Sequence, residues 1–211
     1  TEKSLSYAGA GVNLEEKDQF TESLTSLMRR THGPRVIQNP GGFAGLFRLD
    51  YNQKLFAKNY KDPVLVACAD GVGTKLRLAA AIYKFDTLGI DLVAMNVNDL
   101  ICVGAEPIAL VDFILCRRAD PELCGALGVG LRRGAELAGI EIPGGEIAQV
   151  GDVVNGLELA GSAIGVVPLD AIVSGAAIAP GDAVIGLPSS GLHSNGYTLA
   201  RSVLAGIPLD D

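Results

Sequence analysis

Along this chain helically spaced apolar positions give way to short, nearly continuous apolar runs, and the switches mark out its elements. Residues 19–31 (QFTESLTSLMRRT) set Phe20, Leu24, Leu27 and Met28 at helical spacing. A turn-rich stretch, HGPRVIQNPGGFAG, follows with Gly41, Gly42 and Gly45 close together, and Phe47 to Leu55 reads as a short strand pair. Residues 63–70 (PVLVACAD) are an apolar run of the kind found in a buried strand. That run ends in DGVGTK, after which LRLAAAIYK returns to a helical pattern. Residues 87–103 (TLGIDLVAMNVNDLICV) are apolar nearly all round, which predicts a buried helix. Pro107 opens a strand, IALVDFILC, and residues 120–139 read as an amphipathic helix with Asp120 as N-cap and Pro121 at its first position. LELAGSAIGVVP is a further strand, ending near Pro168.

After Pro168 the pattern starts afresh, with a strand at 183–187, a Gly/Ser loop and a helix from about Tyr197. One β–loop–α unit cannot bury its own face. The sequence therefore divides into a first domain, 1–168, and the start of a truncated second domain, 169–211, with no internal repeat. Strands interleaved with helices place the chain in the α/β class.

Composition narrows the function classes. With 48% hydrophobic and 19% charged residues, the chain can build a sizeable core and is not disordered. It has 27 glycines and no Trp, which points to Ala/Val/Leu/Gly packing with loops where backbone can approach a ligand closely. A net charge of −7 argues against nucleic-acid binding, which needs basic stripes. No run of 18 apolar residues indicates a membrane span, and the opening TEKSLSYAGAG lacks a secretory layout, so a cytoplasmic protein is expected. Cys68, Cys102, Cys116 and Cys124 show no CxxC or Cys/His spacing and read as reduced core thiols. Two histidines provide no structural zinc pattern.

Four constellations carry candidate chemistry. Asp70-Gly71-Val72-Gly73-Thr74-Lys75 sits at a strand-to-helix junction, where two glycines, a helix N-terminus and an ammonium form anion-binding equipment. Asp70 at the strand tip could hold Mg²⁺; the alternative is an ordinary glycine turn with Lys75 solvated. Asn98-Asp99 lies inside the apolar helix ahead of Gly104-Ala105-Glu106-Pro107, and a carboxylate buried there needs a partner, either a metal ion or an Arg. Gly144-Gly145-Glu146 delivers a third carboxylate after a short apolar stretch. Ser189-Ser190-Gly191-Leu192-His193-Ser194-Asn195-Gly196 offers hydroxyl, amide and imidazole groups at the entry to a helix, which suits a phosphate or a ribose, or else a polar surface loop. His193 is the best acid–base candidate, and His32 reads as a surface residue.

Taken together, these residues resemble one superfamily. Asp99-Leu-Ile-Cys-Val-Gly104-Ala105-Glu106-Pro107 matches the D-x4-G-A-x-P signature shared by aminoimidazole ribonucleotide synthetase and formylglycinamidine ribonucleotide synthetase, with related forms in selenophosphate synthetase, thiamine monophosphate kinase and a hydrogenase maturation factor. Within that group the chain looks like the aminoimidazole ribonucleotide synthetase branch, the phosphoribosylformylglycinamidine cyclo-ligases. SLSYAGAGVN, GGFAG, DGVGTKLRLA, DTLGIDLVAMNVNDL, GAEP, IPGGE and SSGLHSNGYTLAR follow in that branch's order over essentially the whole chain.

The resemblance implies ATP-dependent closure of formylglycinamidine ribonucleotide to aminoimidazole ribonucleotide in purine biosynthesis, with ATP and Mg²⁺ as cofactors. It implies two α/β domains, each with a mixed four-stranded sheet backed by helices, and a homodimer whose N-terminal sheets pair into a barrel-like core. Residue by residue, it implies Asp70, Asp99 and Glu146 on Mg²⁺, and Gly71, Gly73, Thr74, Lys75 and Asn98 on ATP. Ser190, Gly191, His193, Ser194, Asn195 and Gly196 would hold the ribonucleotide or a phosphate, and Asp70, Lys75, Asp99 and His193 would be the catalytic set.

The chain departs from the family pattern at Asn13, where the opening motif has Asp, and at Ile147-Ala148-Gln149-Val150-Gly151-Asp152, where the family reads T-A-E-M-P-G. No Cys precedes Cys68, which sets aside a selenophosphate-synthetase reading, and no glutaminase region is present. The remaining alternative is a degenerate nucleotide-binding or dimerisation module without turnover.

Overall fold

The computed structural model describes residues 14–38, 46–48, 60–118 and 120–208. The SLSYAGAGVN motif with Asn13, the glycines at 41, 42 and 45, and most of 47–55 lie outside the described residues, as does the side chain of Phe20. In chain order the elements are α1 (Leu14–Met28), a 3-10 turn (Arg29–Thr31), β1 (Val36–Ile37), β2 (Leu46–Phe47), β3 (Pro63–Gly71), α2 (Lys75–Ala81), α3 (Leu88–Cys102), β4 (Glu106–Cys116), α4 (Pro121–Ala138), β5 (Glu141–Gln149), β6 (Leu157–Pro168), a 3-10 turn (Leu169–Ala171) and α5 (Tyr197–Val203).

The main sheet has four strands in the order β3-β6-β4-β5 and is mixed: β6 pairs antiparallel with both β3 and β4, whereas β4 and β5 run parallel. Parallel neighbours need a crossover, and α4 provides it between β4 and β5. Helix α3 lies on β3, β6 and β4, α4 packs on α3, and α1 packs on α4 and β5, so one face of the sheet is covered. The core beneath these helices is aliphatic, with Leu88, Leu92, Leu127, Leu131, Ile114, Ile142 and Leu159 fully buried. Glycines set the helix spacing: a Cβ on Gly130 would come within 2.7 Å of the Asp86 carbonyl and 3.1 Å of the Gly89 Cα.

Helix α4 follows its sequence signals closely. Asp120 caps it by accepting from the Glu122 and Leu123 amides, and Pro121 occupies the first turn, where its missing N–H costs nothing.

Several expectations are corrected. Among the described residues the run 63–70 is an edge strand rather than a buried one: there β3 pairs only with β6 and its outward residues face no helix, so Leu65 is exposed. Helix α3 is buried along one face only: Leu92, Met95, Asn96 and Leu100 are inside, whereas Asn98, Asp99 and Ile101 are exposed. Residues 46–47 pair with 36–37.

Residues 183–187 form no strand, because no described residue offers them a partner, and Val184, Ile185 and Leu187 lie exposed. The segment 141–149 is a full strand that Pro143 and the Gly144-Gly145 pair conceal from a pattern search. Its departing residues Ile147, Ala148 and Gln149 continue the ladder opposite Ile114, Leu115 and Cys116.

Of the four cysteines, all free, Cys116 and Cys124 are buried, Cys68 is half-buried and Cys102 is exposed, so the core-thiol reading fails at Cys102. Burial pushes the Cys124 thiol up to about 12, consistent with an inert core group. His32 is half-buried rather than superficial, with Nε2 2.9 Å from the Ile142 carbonyl and Nδ1 3.2 Å from Gln38 Nε2. Among the described residues no helix is long and apolar enough to cross a membrane.

Candidate active-site cleft

The C-terminal end of β3, the N-terminal end of α2 and the outer side of α3 meet the 189–195 loop around a cleft of about 740 Å³. Asp70, Lys75, Asn98 and Asp99 line it from one side, and Ser189, Gly191, His193, Ser194 and Asn195 from the other. Residues more than 90 positions apart are thus assembled on one cleft. Ser190 and Gly196 belong to the same loop without lining the cleft.

Asp70 is positioned by a residue that pattern reading missed. Asn96, fully buried on α3, accepts from the Asp70 amide at 3.1 Å and donates to the Asp70 carbonyl at 3.3 Å and to the Leu92 carbonyl at 3.0 Å. These bonds tie the end of β3 to α3 and satisfy an amide that would otherwise be costly to bury. The Asp70 carboxylate accepts from the Gly71 amide at 2.7 Å.

The two glycines of DGVGTK divide their work differently from the expectation that both clear space for a ligand. A Cβ on Gly71 would sit 3.2 Å from the Leu159 carbonyl, so this glycine lets β3 approach β6. Gly73, at φ +67°, takes the left-handed turn into α2 with nothing within 4 Å of where a Cβ would stand. The helix-terminus expectation narrows as well. Helix α2 has seven residues, and the Leu76 and Arg77 amides already donate to the Gly73 and Thr74 carbonyls.

Lys75 is held by a second missed residue, Asp91. Its Nζ lies 2.7 Å from Asp91 Oδ2, donates to the His193 carbonyl at 3.2 Å and stands 5.4 Å from the centre of the Tyr197 ring. Asp91 also accepts from Ser194 Oγ at 2.9 Å, and Thr74 Oγ1 meets Thr198 Oγ1 at 3.0 Å. One carboxylate therefore joins Lys75 to the loop. Asp91 was visible only as an acidic residue in the first turn of an apolar helix, where a favourable interaction with the helix dipole explains it equally well.

His193 Nε2 lies 3.3 Å from Ser189 Oγ and 3.2 Å from Ser190 Oγ, and its ring is exposed. Asp99 is exposed at the cleft, so the argument that burial forces it to find a partner does not hold. Glu146 is not brought into this cleft. Its register partner is Phe113, which points away from the helices, and it lines an adjoining cleft that Asp70 also reaches. Among the described residues no three His, Cys, Asp or Glu side chains converge to hold a metal ion, so Asp70, Asp99 and Glu146 do not form one preassembled set. The rest of the signature is structural: Gly104, at φ +81°, turns α3 into β4, Ala105 is buried, and Glu106 accepts from the Tyr60 hydroxyl.

A mixed sheet covered on one face, with a polar cleft at the tips of β3 and α3, is an α/β architecture with solved counterparts. The structure of the hydrogenase maturation protein HypE in complex with ATP superposes with a TM-score of 0.53 at 20% identity, covering 76% of this chain and 44% of that one. Thiamine-monophosphate kinase from Stenotrophomonas maltophilia superposes at 0.51 and 20% identity, covering 69% and 42%.

Sequence comparison is more specific: residues 55–167 match the family described as AIR synthase related protein, N-terminal domain, and the chain belongs to that family. It is 46% identical over 202 residues to the phosphoribosylformylglycinamidine cyclo-ligase of Pyrococcus horikoshii, covering 95% of this chain and 58% of that protein. It is 42% identical over 216 residues to the enzyme of the same name from Geotalea uraniireducens, covering 100% and 60%. The chain thus spans well under two thirds of the length of these relatives.

Proposed function

We propose that the protein acts in ATP-dependent ring closure of formylglycinamidine ribonucleotide to aminoimidazole ribonucleotide, with release of ADP and phosphate. The carrying observation is the single cleft that gathers Asp70, Lys75, Asn98 and Asp99 opposite the Ser189–Asn195 loop. The shared name of the relatives supports the reading. In this reading 1–168 is the ATP-binding and dimerisation domain and 169–211 begins the second domain. The exposed Val184, Ile185 and Leu187 support that division, since such side chains call for cover.

In the proposed reaction ATP phosphorylates the formyl amide oxygen, the neighbouring amine attacks the activated carbon, and phosphate leaves. Asp70 and Asp99 share the cleft, are open to it and offer the oxygen donors that Mg²⁺ prefers, so they fit the ion. By register Glu146 stands on the face opposite Asp70, so its place on the ion rests on the resemblance alone. Magnesium there neutralises phosphate charge.

Lys75 carries three N–H donors, of which Asp91 and the His193 carbonyl take two, leaving one for an ATP phosphate oxygen. Thr74, Asn98 and the backbone at Gly71 and Gly73 flank that position. The Ser190–Gly196 loop, with Gly191, Ser194 and Asn195, holds the ribonucleotide or its phosphate, and His193 transfers a proton. The outward face of the sheet, carrying Leu65, Val111, Phe113 and Ile164 as exposed apolar residues, supports a homodimer closed across it.

Coupled measurement of ADP release with formylglycinamidine ribonucleotide tests the proposal on the full-length protein. Replacing Asp70 or Asp99 by Asn is expected to lower turnover at least a hundredfold, because removing one charge-stabilising group of this kind costs about 3 kcal/mol or more. Near-wild-type turnover in either variant overturns the assignment. Nucleotide binding without turnover in the wild type would instead mark a non-catalytic module.

A further inference from the structure

The 189–195 loop brings two hydroxyls onto one imidazole nitrogen. His193 lines the cleft, and its Nε2 lies 3.3 Å from Ser189 Oγ and 3.2 Å from Ser190 Oγ. The backbone is anchored here, since the His193 carbonyl accepts from Lys75 Nζ at 3.2 Å and Ser194 Oγ donates to Asp91 at 2.9 Å. Gly191, at φ +132°, turns the chain so that its amide and its carbonyl both return to Ser189 Oγ.

A serine hydroxyl has one hydrogen to give and two lone pairs to offer. Ser189 Oγ donates that hydrogen to the Gly191 carbonyl and accepts from the Gly191 amide at 3.2 Å. Toward Nε2 it therefore presents only a lone pair. A ring nitrogen meets a lone pair favourably when it carries the hydrogen, so the neutral imidazole is held as the Nε2–H tautomer. Ser190 Oγ makes no other bond among the described residues and is compatible with either tautomer, so Ser189 decides between them. Nδ1 keeps its lone pair and meets no partner among the described residues.

We infer that Ser189 is a positioning residue, which fixes the His193 tautomer so that Nδ1 is the nitrogen that takes the proton in ring closure. This role rests on the ring-closing reading of the cleft. As the amine nitrogen bonds to the activated carbon, the C–O electron pair leaves with phosphate. The pair of one amine N–H bond returns to nitrogen, and its proton goes to Nδ1. The imidazolium so formed keeps its Nε2–H on the serine oxygens. A partner on one ring nitrogen thus decides what the other nitrogen can do. Ser189 acts through His193 and needs no contact with the reacting atoms.

The tautomer is read in ligand-free, full-length protein carrying nitrogen-labelled histidine, by two-bond proton–nitrogen NMR, with the His193 signals assigned by their loss in His193→Asn. The wild type is expected to show a protonated Nε2 and a bare Nδ1. Ser189→Ala should move the two nitrogen shifts toward each other as the second tautomer enters, and Ser189→Thr, which keeps the hydroxyl, should restore them. In ADP release with formylglycinamidine ribonucleotide, Ser189→Ala should lower kcat about tenfold, the order expected for one lost neutral hydrogen bond, with KM for ATP unchanged. A protonated Nδ1 in the wild type, shifts that Ser189→Ala leaves in place, or wild-type kcat in that variant overturns the role of Ser189. A wild type with the Nε2–H tautomer and no turnover overturns the ring-closing reading instead, and with it the use of Nδ1 as base.

Discussion

Asp91 shows how one side chain can serve a site without lying at its chemistry. It pairs with Lys75 at 2.7 Å and accepts from Ser194 at 2.9 Å, so the strand-end motif and the distant loop share one anchor. Both members of the ion pair are largely shielded, with side chains 19% and 15% exposed, which lifts it above an ordinary surface pair. Replacing Asp91 by Asn should therefore lower kcat/KM for ADP release about tenfold, equivalent to about 1.4 kcal/mol. Unchanged kinetics would show that the loop holds its place unaided.

Asp112 makes a second residue-scale prediction, in the pH dependence of stability. Its folded pKa of about 7 lies above the ordinary value of 3.8, so between those values the folded state keeps a proton that the unfolded state has lost. Stability from this group is therefore fully present below about pH 4 and is lost as pH rises toward 7, with a ceiling on the order of 4 kcal/mol. Urea denaturation from pH 5 to 8 should show Asp112→Asn gaining on the wild type as pH rises. Parallel curves would show that the carboxyl meets a counter-charge in solution.

At the scale of elements, the decisive feature is how closely α3 and α4 cross. Gly130 lies 2.9 Å, measured from its missing Cβ, from the Gly89 amide, and Gly134 is equally tight against Val93. Ala favours a helix over Gly by nearly 1 kcal/mol, so an isolated helix would gain from the exchange. Here Gly130→Ala must push backbone against backbone, and the overpacking cost, about 1–3 kcal/mol, decides the sign. Calorimetry should show a lower Tm, and a raised one would mean that the helices can part without loss.

At the scale of the whole molecule, among the described residues the helices clothe one side of the sheet, while on the other Tyr60 and Phe47 cover only the end at Ile108, Ala109 and Val166. Phe113 is 44% exposed and stands with Val111, Leu65 and Ile164 on the bare face. A face of this kind is expected to be covered by a second copy in the proposed dimer. Phe113→Asp should then shift the full-length protein from dimer to monomer in analytical ultracentrifugation. A dimer that persists would place the contact elsewhere.

The sequence alone determined the elements whose signals are local. Asp120-Pro121 set the start of α4, apolar runs set β4 and β6, and DGVGTK, D-x4-GAEP and SSGLHSNG in order set the family. Such features depend on neighbours within a few positions, and those are written in the chain. Tertiary structure alone decided which residues meet. Asp99 reads as buried because α3 is apolar all round, yet it is exposed because the sheet covers only one side of that helix. β5 is hidden by Pro143 and two glycines and exists because β4 offers it a ladder. The stretch 183–187 carries a strand pattern and has no described partner, so it forms none. Asn96, Asp91 and Asp112 drew no notice, since a polar residue in an apolar element acquires its role only from the partner that folding brings, or fails to bring, beside it.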